Sequence, residues 1–459
     1  VPPDPSRPSE PSETLNSFAD LFGGDDPAPI DGFPASSRRR RRWPGIVAAV
    51  VVLVLFAGAG LYGAYTLTAR TPDPTIATRV PVAAQPEPSR IDLPGTGVYA
   101  VRARGAAEYF GAGASNSTEK GLSLSADAGQ RRPIASITKV ITALVVLDAH
   151  PLDGPDDAGP TLVFSRADHA LYDAYYVRNA TIERMPTGSS MSLRDALQMM
   201  LIVSASNYAD AVARWAFGGT GGFLRATQDW LDAHDLRDTT IVEPTGIDPR
   251  NTSTPDDLVR IARLAMRDPA LAEIVAMPEL DVPGFSGENT NGLLGKNGIR
   301  GLKTGTLNSS GANLLFSARL EVGAGEPLEI TGALLGGSSR GEVEREVLAL
   351  LDSIRDGFPT VTVAAAGNRV GTATTPWGAS ADIVLETDAA LRIWSDTPVT
   401  GVLGDVRIAD GRIGEQVGDA TFTAGPRTVT VPVVLDGDLE DPDAWWRLTH
   451  PFDLAGWPE

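Results

Sequence analysis

Pro44 to Ala69 is a run of 26 residues without one charged side chain, and no other feature of the chain limits its architecture so much. As a helix rising ~1.5 Å per residue it is long enough to cross a hydrocarbon core of ~30 Å. A transmembrane helix over residues 44–69 is therefore expected. Arg38 to Arg42 stand before it and Arg70 alone directly after it. The positive-inside bias then puts residues 1–43 in the cytoplasm and the rest of the chain outside, a single-pass protein of the cell membrane. A cleaved signal peptide fits less well, because the apolar run begins too far along the chain and is too long. The first 43 residues, rich in Pro, Ser and acid and without apolar periodicity, have the composition of a disordered tail.

The same run contains Gly58-Ala59-Gly60-Leu61-Tyr62-Gly63, which fits the G-x-G-x-x-G pattern of dinucleotide loops. Such a loop must open a strand–helix–strand unit, whereas the chain continues into Thr71-Pro72-Asp73-Pro74 and further prolines. Small residues within a membrane helix are the reading that survives. Residues 70–95 are expected to be an extended, Pro-rich linker, with folded sequence from residue 96.

Charge and cysteine content exclude several classes. The chain has 58 acidic and 39 basic residues, a net charge of −19. Residues 1–70 hold seven of each sign, so the whole excess lies beyond the membrane run, which argues against nucleic acid and anionic lipid as partners. With no cysteine there is no disulfide, no thiolate nucleophile and no Cys-ligated zinc. The four histidines, His150, His169, His234 and His450, are scattered and form no H-E-x-x-H helix.

Downstream, β-like stretches at Tyr99 to Ala103, Leu314 to Leu320 and Leu328 to Leu335 bracket a long section of helical periodicity. That order suggests an α/β domain with a largely antiparallel sheet over residues 96–358. Ser192 and Thr254 stand where helix N-caps belong, Thr254 with Pro255 at the first helical position. A closing helix is expected over Ser339 to Phe358, with Val343, Val347, Leu350, Leu351 and Ile354 on one face. Beyond it, runs such as Val361-Thr362-Val363, Ile383-Val384-Leu385 and Thr428 to Val434 alternate with Gly and Asp turns, predicting a small β-rich domain over 359–459. The acidic run Asp436 to Asp443 lacks EF-hand spacing and reads as a solvated loop.

Lysine usage carries the chemistry. Only Lys120, Lys139, Lys296 and Lys303 occur, against 35 arginines. Unlike guanidinium, an amine can lose its proton near neutral pH and act as a base. Lys139 ends Ser136-Ile137-Thr138-Lys139 at the start of a helical run, where residues three apart share a face and the amine can take the hydroxyl proton. Taken alone, Ser136 could equally cap the helix and Lys139 face solvent. Lys303 opens Lys303-Thr304-Gly305-Thr306 ahead of a β-like stretch, with a glycine that lets a substrate backbone approach a strand.

Ser-x-x-Lys followed far downstream by Lys-Thr-Gly is the pairing of penicillin-binding proteins and serine β-lactamases. Over roughly Gly97 to Phe358 the sequence resembles the serine D-alanyl-D-alanine carboxypeptidases, the low-molecular-mass penicillin-binding proteins of peptidase S11 type. Arg132 to Val140 resembles that family's nucleophile block. Glu243-Pro244-Thr245-Gly246-Ile247-Asp248 with Ser253-Thr254 resembles its middle region, and Asn289 to Gly295 its approach to the third motif. The family's second motif, Ser-x-Asn, is altered here: Ser204-Ala205-Ser206 stands in register, with Asn207 one place late. Ser206 thus replaces the amide, and Asn207 is the other candidate for its role. The alternative is that these polar residues only cap a helix over Tyr208 to Phe217.

The resemblance implies the penicillin-binding-protein transpeptidase fold, an antiparallel sheet flanked by helices with an accessory β-rich domain, and no metal or cofactor. It implies Ser136 as nucleophile, Lys139 as general base and Ser204 as proton relay. Ser206, Asn207, Lys303, Thr304, Gly305 and Thr306 would bind substrate, with the Ser136 and Thr306 N–H groups as oxyanion hole. The implied partners are peptidoglycan stem peptides ending in D-Ala-D-Ala, and β-lactams. Two other readings stand beside the carboxypeptidase: a serine β-lactamase, for which the expected E-x-x-L-N stretch is missing between the motifs, and a catalytically weakened cell-wall binding protein, motivated by Ser206.

Overall fold

The computed structural model describes residues 43–105, 117–118, 121–323 and 326–456, and the described residues group in two compact units, 43–70 with 447–456 and 71–446. The tail 1–42 and Lys120 lie outside the described residues. In the first unit, Trp43–Thr68 is a single uninterrupted helix, strongly apolar and with its apolar side chains uncovered. The helix has the length and composition to cross a membrane. Gly58, Gly60 and Gly63 lie within it, so the G-x-G-x-x-G pattern forms no loop.

In the second unit a six-stranded antiparallel sheet runs in the spatial order Ser117–Thr118, Gly121–Ala126, Val98–Arg104, Leu328–Gly337, Gly311–Leu320 and Ile299–Leu307. Alternation sends Leu315, Ala333 and Leu335 to one face and Leu314, Phe316 and Leu334 to the other. The first face packs on a helical layer that includes Thr138–Ala149, Leu193–Leu201, Ser206–Phe217 and Pro255–Ala265. The second is covered by Arg340–Asp356 through Val343, Val347, Leu350, Leu351 and Ile354, the face read from periodicity. Helix starts obey the expected chemistry: Ser192, Thr254 and Ser339 accept from the backbone N–H of Asp195, Asp257 and Glu342.

Residues 360–436 add a second antiparallel sheet, in the order Thr75–Thr78, Arg369–Thr374, Ser380–Leu385, Arg427–Asp436, Gln416–Ala424 and Val399–Leu403. Its core is a separate cluster around Ile383, Phe422, Val431 and Val433. The Pro-rich segment 71–95 departs from the free linker expected. Thr75–Thr78 joins the C-terminal sheet as an edge strand beside Arg369–Thr374. Ala84, Gln85, Ser89, Asp92 and Gly95 then bond onward to Val363, Val399, Ser395, Ser353 and Glu346. Proline forbids continuous strand there, yet the free N–H groups between prolines still find partners one at a time.

Candidate active site

Ser136 occupies a one-turn 3₁₀ helix, Ala135–Ile137, that leads into Thr138–Ala149. Its hydroxyl makes no cap; it lies 3.0 Å from Lys139 Nζ. Lys139 is fully buried, so both bland readings of the Ser-x-x-Lys segment fail here. Two glycines wedge the turn into shape. Ala135 holds a left-handed φ of 50°, and a Cβ on Gly246 would come 1.9 Å from its carbonyl oxygen. A Cβ on Gly305 would come 2.8 Å from the Ile134 oxygen and 3.2 Å from the Ser136 nitrogen. Only glycine lets the middle loop and the edge strand approach this closely from two directions.

Lys139 Nζ also donates to Thr245 O at 2.7 Å. Burial pulls its pKa from 10.5 down to about 7, against the opposing pull of the Glu243 charge. A lysine held near 7 is a competent base at neutral pH. The Thr245 carbonyl is aimed by Glu243, whose carboxylate accepts from Thr245 N at 2.7 Å, Thr245 Oγ1 at 2.6 Å and Gly246 N at 2.6 Å. Asn251 completes the knot: its amide donates to Glu243 Oε1 at 2.7 Å and accepts from Val242 N at 2.7 Å. These supporting roles of Glu243, Thr245 and Asn251 went unread in sequence. An acid placed two and three residues before N–H groups of a Pro-Thr-Gly turn was the available signal.

The link between helices Leu193–Leu201 and Ser206–Phe217 carries the second motif. Ser204 has φ 65°, left-handed and costly for a residue with a side chain. Ser206 is the first helical residue, the N-cap is Ala205, and no side chain caps the helix, so the capping alternative is not what the structure adopts. Among the described residues neither the Ser204 nor the Ser206 hydroxyl takes a hydrogen-bond partner, and none joins them directly to Ser136 or Lys139. Asn207, proposed from sequence as a substrate-binding amide, is bonded to backbone. It is fully buried, its Nδ2 donates to Glu183 O at 2.7 Å and its Oδ1 accepts from Glu183 N at 3.1 Å. With one bond at each end to the Glu183 backbone, this amide holds the loop before the helix.

Lys303 and Thr304 are buried on the edge strand Ile299–Leu307, with Gly305 beside Ser136 and Thr306 exposed. Lys303 Nζ donates to Thr290 Oγ1 at 3.0 Å, a partner within the Asn289 to Gly295 segment. Burial first, then the charges of Lys139 and Arg340, hold Lys303 well below the ordinary lysine range. Opposite Gly305, Asn313 donates to Pro133 O at 3.0 Å and accepts from Gly336 N at 2.8 Å, tying the strands to the nucleophile turn.

A serine hydroxyl against a buried, near-neutral lysine, at a helix start beneath the edge of an antiparallel sheet, defines the class: a serine–lysine dyad with a second lysine on the adjoining strand. Residues 117–322 match the family model of peptidase S11, described as D-alanyl-D-alanine carboxypeptidase. The D-alanyl-D-alanine endopeptidase of Pseudomonas aeruginosa is 32% identical over 195 residues, covering 40% of this chain and 58% of that protein. The D-alanyl-D-alanine carboxypeptidase DacD of Escherichia coli is 27% identical over 266 residues, 56% of this chain and 66% of that protein. The matches thus span about six tenths of these relatives' own length. Among solved structures, penicillin-binding protein 5 of Haemophilus influenzae aligns at 18% identity with a TM-score of 0.48, over 77% of this chain and 99% of that one.

Proposed function

We propose that the chain is a membrane-anchored serine D-alanyl-D-alanine carboxypeptidase that removes the terminal D-Ala from peptidoglycan stem peptides and is acylated by β-lactams. The observation that carries this is the 3.0 Å contact between Ser136 Oγ and a Lys139 amine held near 7. The family match over residues 117–322 supplies the substrate class. In this reading residues 96–358 form the catalytic domain, outside the membrane, with 1–43 cytoplasmic, 44–69 spanning, 70–95 connecting, and 359–459 accessory.

The neutral Lys139 amine donates to Thr245 O and accepts the Ser136 Oγ–H proton as Oγ attacks the penultimate D-Ala carbonyl. The tetrahedral oxyanion is received by the N–H groups of Ser136 and Thr306. The C–N bond then breaks, and the proton passes through Ser204 to the departing D-Ala amine, leaving an acyl-enzyme that water hydrolyses. Lys303 and Thr304 bind the terminal carboxylate, whose charge supplies the counter-ion that the Lys303 amine needs to hold its proton in a buried position. Ser206 offers a hydroxyl where the family has an amide, so it can make one hydrogen bond to substrate and forgoes a second.

Intact mass of the full chain in detergent, followed after adding penicillin with Ser136→Ala alongside, tests the reading. A lasting adduct on the native chain alone supports a carboxypeptidase. Rapid loss of the adduct with drug turnover would move the assignment to a β-lactamase. No adduct at any time would leave a binding protein.

A further inference from the structure

Away from the dyad, the same sheet closes over a cavity of about 130 Å³ lined by Arg104, Arg263, Arg267, Ser317, Glu329 and Thr331. Ser317 pairs with Gly301, four residues back along the edge strand from Gly305, so the cavity lies ~13 Å down the strand from the Ser136 contact. The end of strand Val98–Arg104 supplies Arg104, and the last turn of helix Pro255–Ala265 and the residues after it supply Arg263 and Arg267.

Charge accounting around this cavity does not balance. Arg102 pairs with Asp256 at 2.7 Å and Arg260 with Asp257 at 3.8 Å. Glu329, the one carboxylate in the lining, stands across the strand pair from Arg104 but forms its ion pairs with Arg300 and, at 4.0 Å, Arg319. Among the described residues Arg104, Arg263 and Arg267 have no acidic partner, and the buried Arg263 Nε has no hydrogen-bond acceptor at all. A helix C-terminus favours one nearby cation; three arginines lining one small space, Arg104 and Arg267 of them exposed, exceed what the dipole can reward. Burial, and then the charges of Arg104, Arg102, Arg267 and Arg260, hold the Arg263 guanidinium below its usual range. In a chain of net charge −19 this is an uncompensated cationic concentration in a partly desolvated place.

We infer that the cavity is a binding site for a phosphate group, carried by an inorganic ion or by a phosphodiester. A carboxylate offers two oxygens and is satisfied by one guanidinium fork. Three forks with the hydroxyls of Ser317 and Thr331 in the same lining match a tetrahedral oxyanion, whose oxygens accept from several directions. The anion supplies the acceptor that Arg263 Nε lacks and removes the mutual repulsion of the arginines.

Calorimetric titration of the full chain in non-ionic detergent, at fixed ionic strength, tests this with two probes: inorganic phosphate and glycerophosphoglycerol. Saturable one-site binding is expected, weakened about tenfold by Arg263→Gln, since a charge-assisted hydrogen bond is lost. Arg104→Gln, at an exposed strand-end position, should weaken it similarly. Both variants should keep the native rate of penicillin acylation, because neither touches the dyad. Phosphate bound without glycerophosphoglycerol identifies a free ion as ligand; binding of both identifies a phosphodiester such as a headgroup or polymer. Heat that never saturates at millimolar concentrations, or binding that both variants leave unchanged, overturns the inference.

Discussion

Around Ser136, two residues with side chains, Ala135 and Ser204, hold left-handed backbone, and two lysine amines are buried within reach of each other's charge. In the strands between Thr360 and Asp436 most buried positions are filled by Val, Ile, Leu, Ala and Phe in period-two alternation, and no charged side chain among the described residues there is buried. One region satisfies local preference at nearly every position. The other violates it repeatedly, and the violations converge on one hydroxyl. Taking Lys139 from 10.5 to about 7 costs roughly 5 kcal/mol at ~1.4 kcal/mol per tenfold. The regular packing elsewhere must offset that cost.

This contrast can be broken by experiment. The largest effect should come from Lys139→Met, which removes the base: acylation by penicillin should fall by about 10²- to 10⁴-fold. The same change should raise the thermal midpoint at pH 6. The folded pKa lies below the unfolded one, so the unfolded chain holds the extra proton between pH 10.5 and about 7, and the burial cost is felt in full below about 7. A lower midpoint for Lys139→Met at pH 6 would refute the claim that the site is costly. Phe422→Ala should do the opposite, costing about 3–5 kcal/mol in chemical denaturation while the acylation rate stays native. In the native chain the acylation rate constant, read by stopped-flow, should climb about tenfold per pH unit below about 7 and level above it. Ser206→Asn restores a second hydrogen bond and should speed acylation about tenfold, or the hydroxyl is already an adequate substitute. Smallest of all, Thr421→Val on the exposed face of the C-terminal sheet should stay within about 0.5 kcal/mol of native stability.

Legibility in sequence divided along the same line. Helix starts at Ser192, Thr254 and Ser339 were readable because a cap is a local rule, and strands near Tyr99, Leu314 and Leu328 because burial on a sheet imposes a period. The Ser136–Lys139 contact was readable because three-residue spacing puts both on one face and the downstream Lys303-Thr304-Gly305 decided between that reading and a simple cap. Glu243, Asn251 and Asn313 were not, since each matters through partners that the fold alone brings close. Pro133 is 180 positions from Asn313. The backbone bonds of Asn207 were hidden for the same reason. A polar residue one place from a motif shows nothing of its bonds to Glu183, 24 positions away. The segment 71–95 looked idle because prolines break the periodic signal, while its lone N–H groups still had acceptors to find.

The edge strand Thr75–Thr78 gives the chain a mechanical property. Tension arriving along the polypeptide at Thr71 meets, in order, the ladder to Arg369–Thr374 and the single bonds from Ala84, Gln85, Ser89, Asp92 and Gly95 before it reaches Val98. Load is thus shed into the C-terminal sheet and the helix Arg340–Asp356 step by step. The turn that carries Ser136 lies beyond all of these bonds for strain entering along the chain at Thr71.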